Sequence, residues 1–109
     1  MFSINVEQRQ YETYILADEK AKSELEVLPK RGGIATKWRI DGKEVFYLDE
    51  ERLKNPEMSI RGGNPILFPI CGNLVDDTYT INGKQFKLKQ HGFGRNLPWE
   101  IGDEITVDN

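Results

Sequence analysis

"GIATKWRIDGKEVFYLD", residues 33–49, decides the architecture. Two runs of alternating apolar and polar residues flank Asp41-Gly42, and Asp-Gly supplies two positions that accept φ > 0, which a tight two-residue hairpin turn requires. The same device recurs in "YTINGKQFKL" (79–88) around Asn82-Gly83. Upstream, "YETYILAD" (11–18) alternates and is rich in Tyr and Ile, while "KSELEVLP" (22–29) places Leu25 and Val27 on one parity. These segments predict antiparallel strands. Helix is scarce. The best candidate is "DEERLKNP" (49–56), where Asp49 can cap, acids occupy the first turn and Pro56 stops continuation. The expected fold class is mostly β, an antiparallel β-sandwich or part of one.

A chain of 109 residues fits one domain, 1–109, able to bury a modest core. The apolar fraction of 38%, with 5 Phe, 4 Tyr and 2 Trp, argues for a folded chain rather than disorder. Fifteen basic and 18 acidic residues leave a net charge of -3, which gives no general pull toward nucleic acid or an anionic membrane, so any anion site is local. The lone Cys71 excludes an internal disulfide, and "MFSINVEQRQYE" has no signal-peptide pattern, so a reducing cytoplasm is expected. No apolar stretch approaches the ~20 residues of a membrane helix.

Two glycine-rich stretches carry the chemistry-bearing residues. In "RGGNPILFPICGN" (61–73), Gly62-Gly63 can take conformations closed to other residues, and Pro65 and Pro69 exclude a regular central strand. Ile66, Leu67, Phe68 and Ile70 read as core in a buried irregular crossing. Arg61, at the mouth of the bend, is placed to hold a phosphate or hydroxyl in a bidentate fork. Cys71 reads as a small buried hydrophobe, and one Cys with one His makes a zinc site untenable. In "KQHGFGRNLPW" (89–99), Gln90, the single His91 and Arg95 surround Gly92 and Gly94, with Phe93 and Trp99 nearby. Imidazole and amide both donate and accept, and aromatic faces suit the C–H side of a sugar, so the set fits a polyhydroxylated ligand. A satisfied histidine in an inter-strand turn is the equally weighted plain alternative.

Together "GGIATKWRIDGKEVFYLD", "IRGGNPILFPICGN" and "NGKQFKLKQHGFGRNLPWE" resemble the N-terminal part of the aldose 1-epimerase (galactose mutarotase-like) superfamily, in its glucose-6-phosphate 1-epimerase branch, from about Leu25 to Trp99. The resemblance implies a supersandwich of large antiparallel sheets that interconverts α and β anomers of an aldose or hexose 6-phosphate. Neither metal nor organic cofactor is implied. Position by position, it implies that Arg61 contacts the sugar phosphate, Gln90 contacts substrate, Arg95 is a second anion-contacting arginine, and His91 binds and orients sugar hydroxyls. His91 is not the family's general acid.

The family's acid histidine and base glutamate lie downstream, and no residue here matches either. Asp76, Asp77 and Glu100 match no catalytic position. Asn64 after the glycines and Gly94 before Arg95 are small departures. No catalytic residue is therefore assigned, and the expectation is the N-terminal portion of an epimerase-like isomerase, inactive alone. A fragment or a natural short relative both satisfy it, and unpaired strand edges in a fragment would invite self-association. The competing class is a non-catalytic carbohydrate- or phosphosugar-binding module. A nucleic-acid reading of 84–95 rests on Lys84, Lys87, Lys89 and Arg95 alone, and alternating lysines on a strand usually mark a solvated face.

Overall fold

A computed structural model of the chain describes residues 1–105 and Val107. Five strands form one antiparallel sheet in sequence order: β1 (Phe2–Gln8), β2 (Glu12–Asp18), β3 (Ser23–Leu28), β4 (Ile34–Ile40) and the short β5 (Lys43–Glu44). The β4–β5 turn is the expected one, with Asp41 at φ 50° and Gly42 at φ 77°. A second hairpin, β6 (Thr78–Ile81) with β7 (Lys84–Lys87), turns through Asn82 (φ 51°) and Gly83 (φ 80°) and forms its own two-stranded sheet. Among the described residues helix is limited to α1 (Glu50–Lys54) and three short 3-10 turns. Asp49 caps α1 by accepting the Arg52 N–H. The chain is mostly antiparallel β and sandwich-like, as expected.

Because side chains alternate along a strand, the register sorts the sheet into two faces. Ile4, Leu16, Leu25 and Trp38 form one row, and Val6, Tyr14, Val27 and Ala35 the next. The opposite face carries Ala17, Glu24, Arg39 and Glu44 in one row, and Ile15, Glu26 and Lys37 in another. A register shift at Glu26/Val27 re-phases β4. Thr13, Ile15, Glu26, Leu28, Ile34 and Thr36 of β2, β3 and β4 are buried, as is Pro29 in the 3-10 turn that follows β3. Segment 48–60 crosses beside the second face: Lys37 pairs with Glu50 at 3.1 Å, Gln10 donates to the Lys54 carbonyl at 2.7 Å, and Leu53 borders the cleft floored by Thr13, Glu26 and Thr36.

Leu25 and Val27 share a face, as their parity requires, but theirs is the half-exposed one. Burial falls on Glu26 because that side lies under cover. Glu26 is held by Arg9 (2.5 Å) and Arg39 (2.6 Å), and Arg39 also pairs with Glu24 and with Glu44 (3.1 Å). Burial pushes the Glu26 carboxyl up, but hydrogen bonds from Arg39 and Arg9 outweigh it and leave it below the usual carboxylate range. Arg39 is raised, first by its hydrogen bond to Glu24 and then by Glu26 and Glu44.

Candidate functional site

The 61–73 stretch leaves the sheet through main-chain contacts that only small residues allow. Gly63 N–H donates to the Tyr47 carbonyl at 2.7 Å, Asp49 N–H to the Arg61 carbonyl at 2.9 Å, and Asn64 exchanges bonds with Ala35. A Cβ on Gly62 would run into the Tyr47 carbonyl, and its φ of 98° disfavours any side chain. The two prolines keep the stretch out of a ladder: only isolated bridges form, and Phe68–Pro69 is cis.

Downstream, the two glycine-rich stretches meet. The Phe68 carbonyl accepts both Phe93 N–H (2.8 Å) and Gly94 N–H (2.9 Å), and a Cβ on Gly92 would strike that carbonyl. His91, with φ at 62°, donates its main-chain N–H to the Gly72 carbonyl at 2.8 Å, while Gly72 N–H donates to His91 Nδ1 at 2.8 Å. An Nδ1 that accepts carries no proton in the neutral ring, so the proton sits on Nε2. The imidazole is thus oriented from behind and presents a donor in front. Arg95 reaches the Gln90 carbonyl at 3.5 Å, and its main chain packs on Gly32. Trp99 closes the loop from below, Nε1 donating to the Gly94 carbonyl at 2.9 Å and its main-chain N–H to the Pro29 carbonyl at 2.9 Å.

Gln90, His91 and Arg95 therefore lie on one short loop. Arg61 is exposed at the other end of the crossing and makes no side-chain bond to them among the described residues. Beside Arg95 lies a cavity of ≈ 370 Å³ that Lys30, Arg31 and Asn96 also line. Arg31 acts there as a strut, donating to the carbonyls of Asn55, Pro56 and Met58. Among the described residues no group of three or more His, Cys, Asp and Glu is placed to hold a metal ion.

Two expectations are corrected. Cys71 is exposed, not buried. The run 66–70 is not core: Ile66 and Phe68 are exposed and Leu67 and Ile70 half-buried, because no second layer covers the crossing among the described residues. Phe68 instead stands edge-to-face with Phe93, centroids 6.0 Å apart, with 51% and 46% exposure. This aromatic pair and the anchoring role of Gly72 escaped the sequence reading. The Pro69 that takes Phe68 out of a ladder was the available signal.

No family model matches the chain. Over 74 residues it is 35% identical to the Cenchrus ciliaris protein named "Putative glucose-6-phosphate 1-epimerase", a match covering 67% of this chain and 19% of that protein. The partial match supports the epimerase family. The crystal structure of the Slr1438 protein from Synechocystis sp. PCC 6803 is 46% identical and superposes on the whole chain with a TM-score of 0.87. This chain spans 38% of that solved chain and, over the matched part, about a fifth of the curated relative. Among the described residues no helix is long and apolar enough to cross a membrane.

Proposed function

We propose that this chain supplies the sugar-binding half of an aldose 1-epimerase-like site that takes a hexose 6-phosphate. The observation that carries the reading is the fixed orientation of His91, whose Nδ1 is committed to Gly72 N–H and whose Nε2–H is left to donate to a sugar oxygen. Gln90 adds an amide beside it, Phe68 and Phe93 offer exposed ring surface, and Arg61 and Arg95 supply guanidinium forks for phosphate. The similarity to the Cenchrus ciliaris protein supports the choice of sugar phosphate.

Anomer exchange needs a base to take the proton from the anomeric hydroxyl and an acid to protonate the ring oxygen. No carboxylate adjoins His91 in its hydrogen bonding among the described residues. On this reading the chain contributes binding groups, and none of its described residues is assigned the role of acid or base.

The test is amide NMR during titration with glucose 6-phosphate, with anomer exchange followed in the same samples. Shifts at Gln90–Arg95 and Gly72 are expected, with exchange no faster than in buffer. Arg61→Ala and Arg95→Ala should each weaken binding roughly tenfold, the size of one charge-assisted hydrogen bond. Unchanged binding in both variants rejects the arginine assignment. Faster exchange that disappears in His91→Ala would instead locate an acid–base pair within this chain.

A further inference from the structure

Three buried side-chain donors find no acceptor among the described residues: the Tyr11 hydroxyl, Arg31 Nε and Arg95 Nε. Two of them belong to arginines that line one cavity, the ≈ 370 Å³ space between the 29–31 turn, segment 56–60 and the 94–96 turn. Local sequence builds this meeting point. Pro29 starts a 3-10 turn that carries Lys30 and Arg31 and ends on Gly32 in the left-handed form (φ 73°), and the Arg95 carbonyl sits where a Cβ on Gly32 would stand. Lys30, Arg31 and Arg95 thus converge on the cavity, with Glu57 the one acid beside them among the described residues.

These cations lack counterions. Arg39, half-buried as Arg31 and Arg95 are, bonds Glu24, Glu26 and Glu44, whereas Lys30, Arg31 and Arg95 form no ion pair among the described residues. What the two arginines hold instead is neutral, and the bonds are long. Arg31 reaches the Asn55 and Pro56 carbonyls at 3.4 Å and that of Met58 at 3.1 Å, and Arg95 reaches the Gln90 carbonyl at 3.5 Å. Bonds from a guanidinium to an oxyanion are shorter, ~2.7–2.9 Å, and about twice as strong, so an oxyanion entering the cavity outcompetes these carbonyls for N–H groups. Three gathered positive charges against one negative also favour its entry. Ser59 adds a donor, because its Oγ accepts from Arg52 at 3.0 Å and keeps its own proton free.

We propose that this cavity binds a phosphate group through Arg31, Arg95 and Lys30, with Arg61 taking no part. The site stands on its own geometry and not on the sugar reading. Its ligand is a phosphate, free or esterified. Nitrogen–proton NMR of the arginine Nε–Hε groups tests it, during titration of the chain with inorganic phosphate at low salt. The Arg31 and Arg95 signals are expected to move and saturate together, and glucose to leave both in place. Lys30→Met should weaken phosphate binding about threefold and Glu57→Gln tighten it about threefold, the size of one exposed charge. Both positions are exposed, and a damaged fold would not produce the gain. Glucose 6-phosphate that displaces inorganic phosphate assigns the site to an esterified phosphate, and inorganic phosphate that stays bound beside it assigns the site to the free ion; both uphold the site. An Arg31 signal unmoved by phosphate overturns it, even where glucose 6-phosphate shifts the Gln90 and His91 amides and the sugar reading survives. Equal affinities in wild type, Lys30→Met and Glu57→Gln overturn it as well.

Discussion

One face of the five-stranded sheet keeps Thr13, Glu26 and Thr36 out of water, while the other leaves Leu16, Leu25 and Trp38 half in it. Cover, not side-chain polarity, sets the difference. Segment 48–60 lies against the first face, and the groups it buries are paired: Glu26 with two arginines, Thr13 through its hydroxyl to the Tyr11 carbonyl at 3.0 Å, and Thr36 to the Glu26 carbonyl at 3.4 Å. A carboxylate withstands burial when its oxygens are bonded, because the attraction and the hydrogen bonds then offset lost hydration.

Stability measurements should separate the faces. Ile34→Ala, at a position 2% exposed, removes packing that cannot refill, and a loss of about 3 kcal/mol in urea unfolding is expected. Arg39→Met comes next, at about 2 kcal/mol, since Glu26 keeps Arg9 but Glu24 and Glu44 lose their shared partner. A loss no larger than a surface change would mean that the cover on this face opens freely.

The pH dependence isolates Glu26. Its carboxyl is lowered in the folded chain, so the unfolded chain takes up the proton first as pH falls. The stability it contributes is full above the ordinary Glu value of about 4.3 and is lost as pH falls below that toward the folded value. Glu26→Gln should flatten that acid limb of the urea midpoint, and an unchanged limb would place the titration elsewhere. Smallest of all, Leu16→Ala should cost under about 1 kcal/mol in the same urea unfolding, because much of that side chain is already wet.

Local chemistry was the legible part of this sequence. Both hairpins follow from Asp41-Gly42 and Asn82-Gly83, whose positive φ values are the backbone form those residues accept, and α1 follows from Asp49 and its acidic first turn. β1 was passed over although Phe2, Ile4 and Val6 alternate, because the polar run Glu7–Gln10 masks the period. Which parity of β3 is buried was not legible. Alternation reports two faces without saying which one a distant segment will cover, and Glu26 sits between Leu25 and Val27 like any solvent-facing residue. The candidate site was legible as two motifs, and their docking through Phe68 and Gly72 was not, since it depends on main-chain groups that every residue has. Placement of Arg61 as a substrate contact rests on resemblance, and its side chain stands apart from the His91 loop.

The bond from Gly72 to His91 also sets a sign convention for the proposed site. With Nδ1 occupied, the outward face of the imidazole offers a proton, and the guanidinium groups of Arg61 and Arg95 can do nothing else. Such a set favours lone pairs. Hydroxyl, ring and phosphate oxygens meet N–H groups at three of the four proposed contacts, and an amino sugar carrying an ammonium group would find only the Gln90 side-chain oxygen to accept its hydrogens.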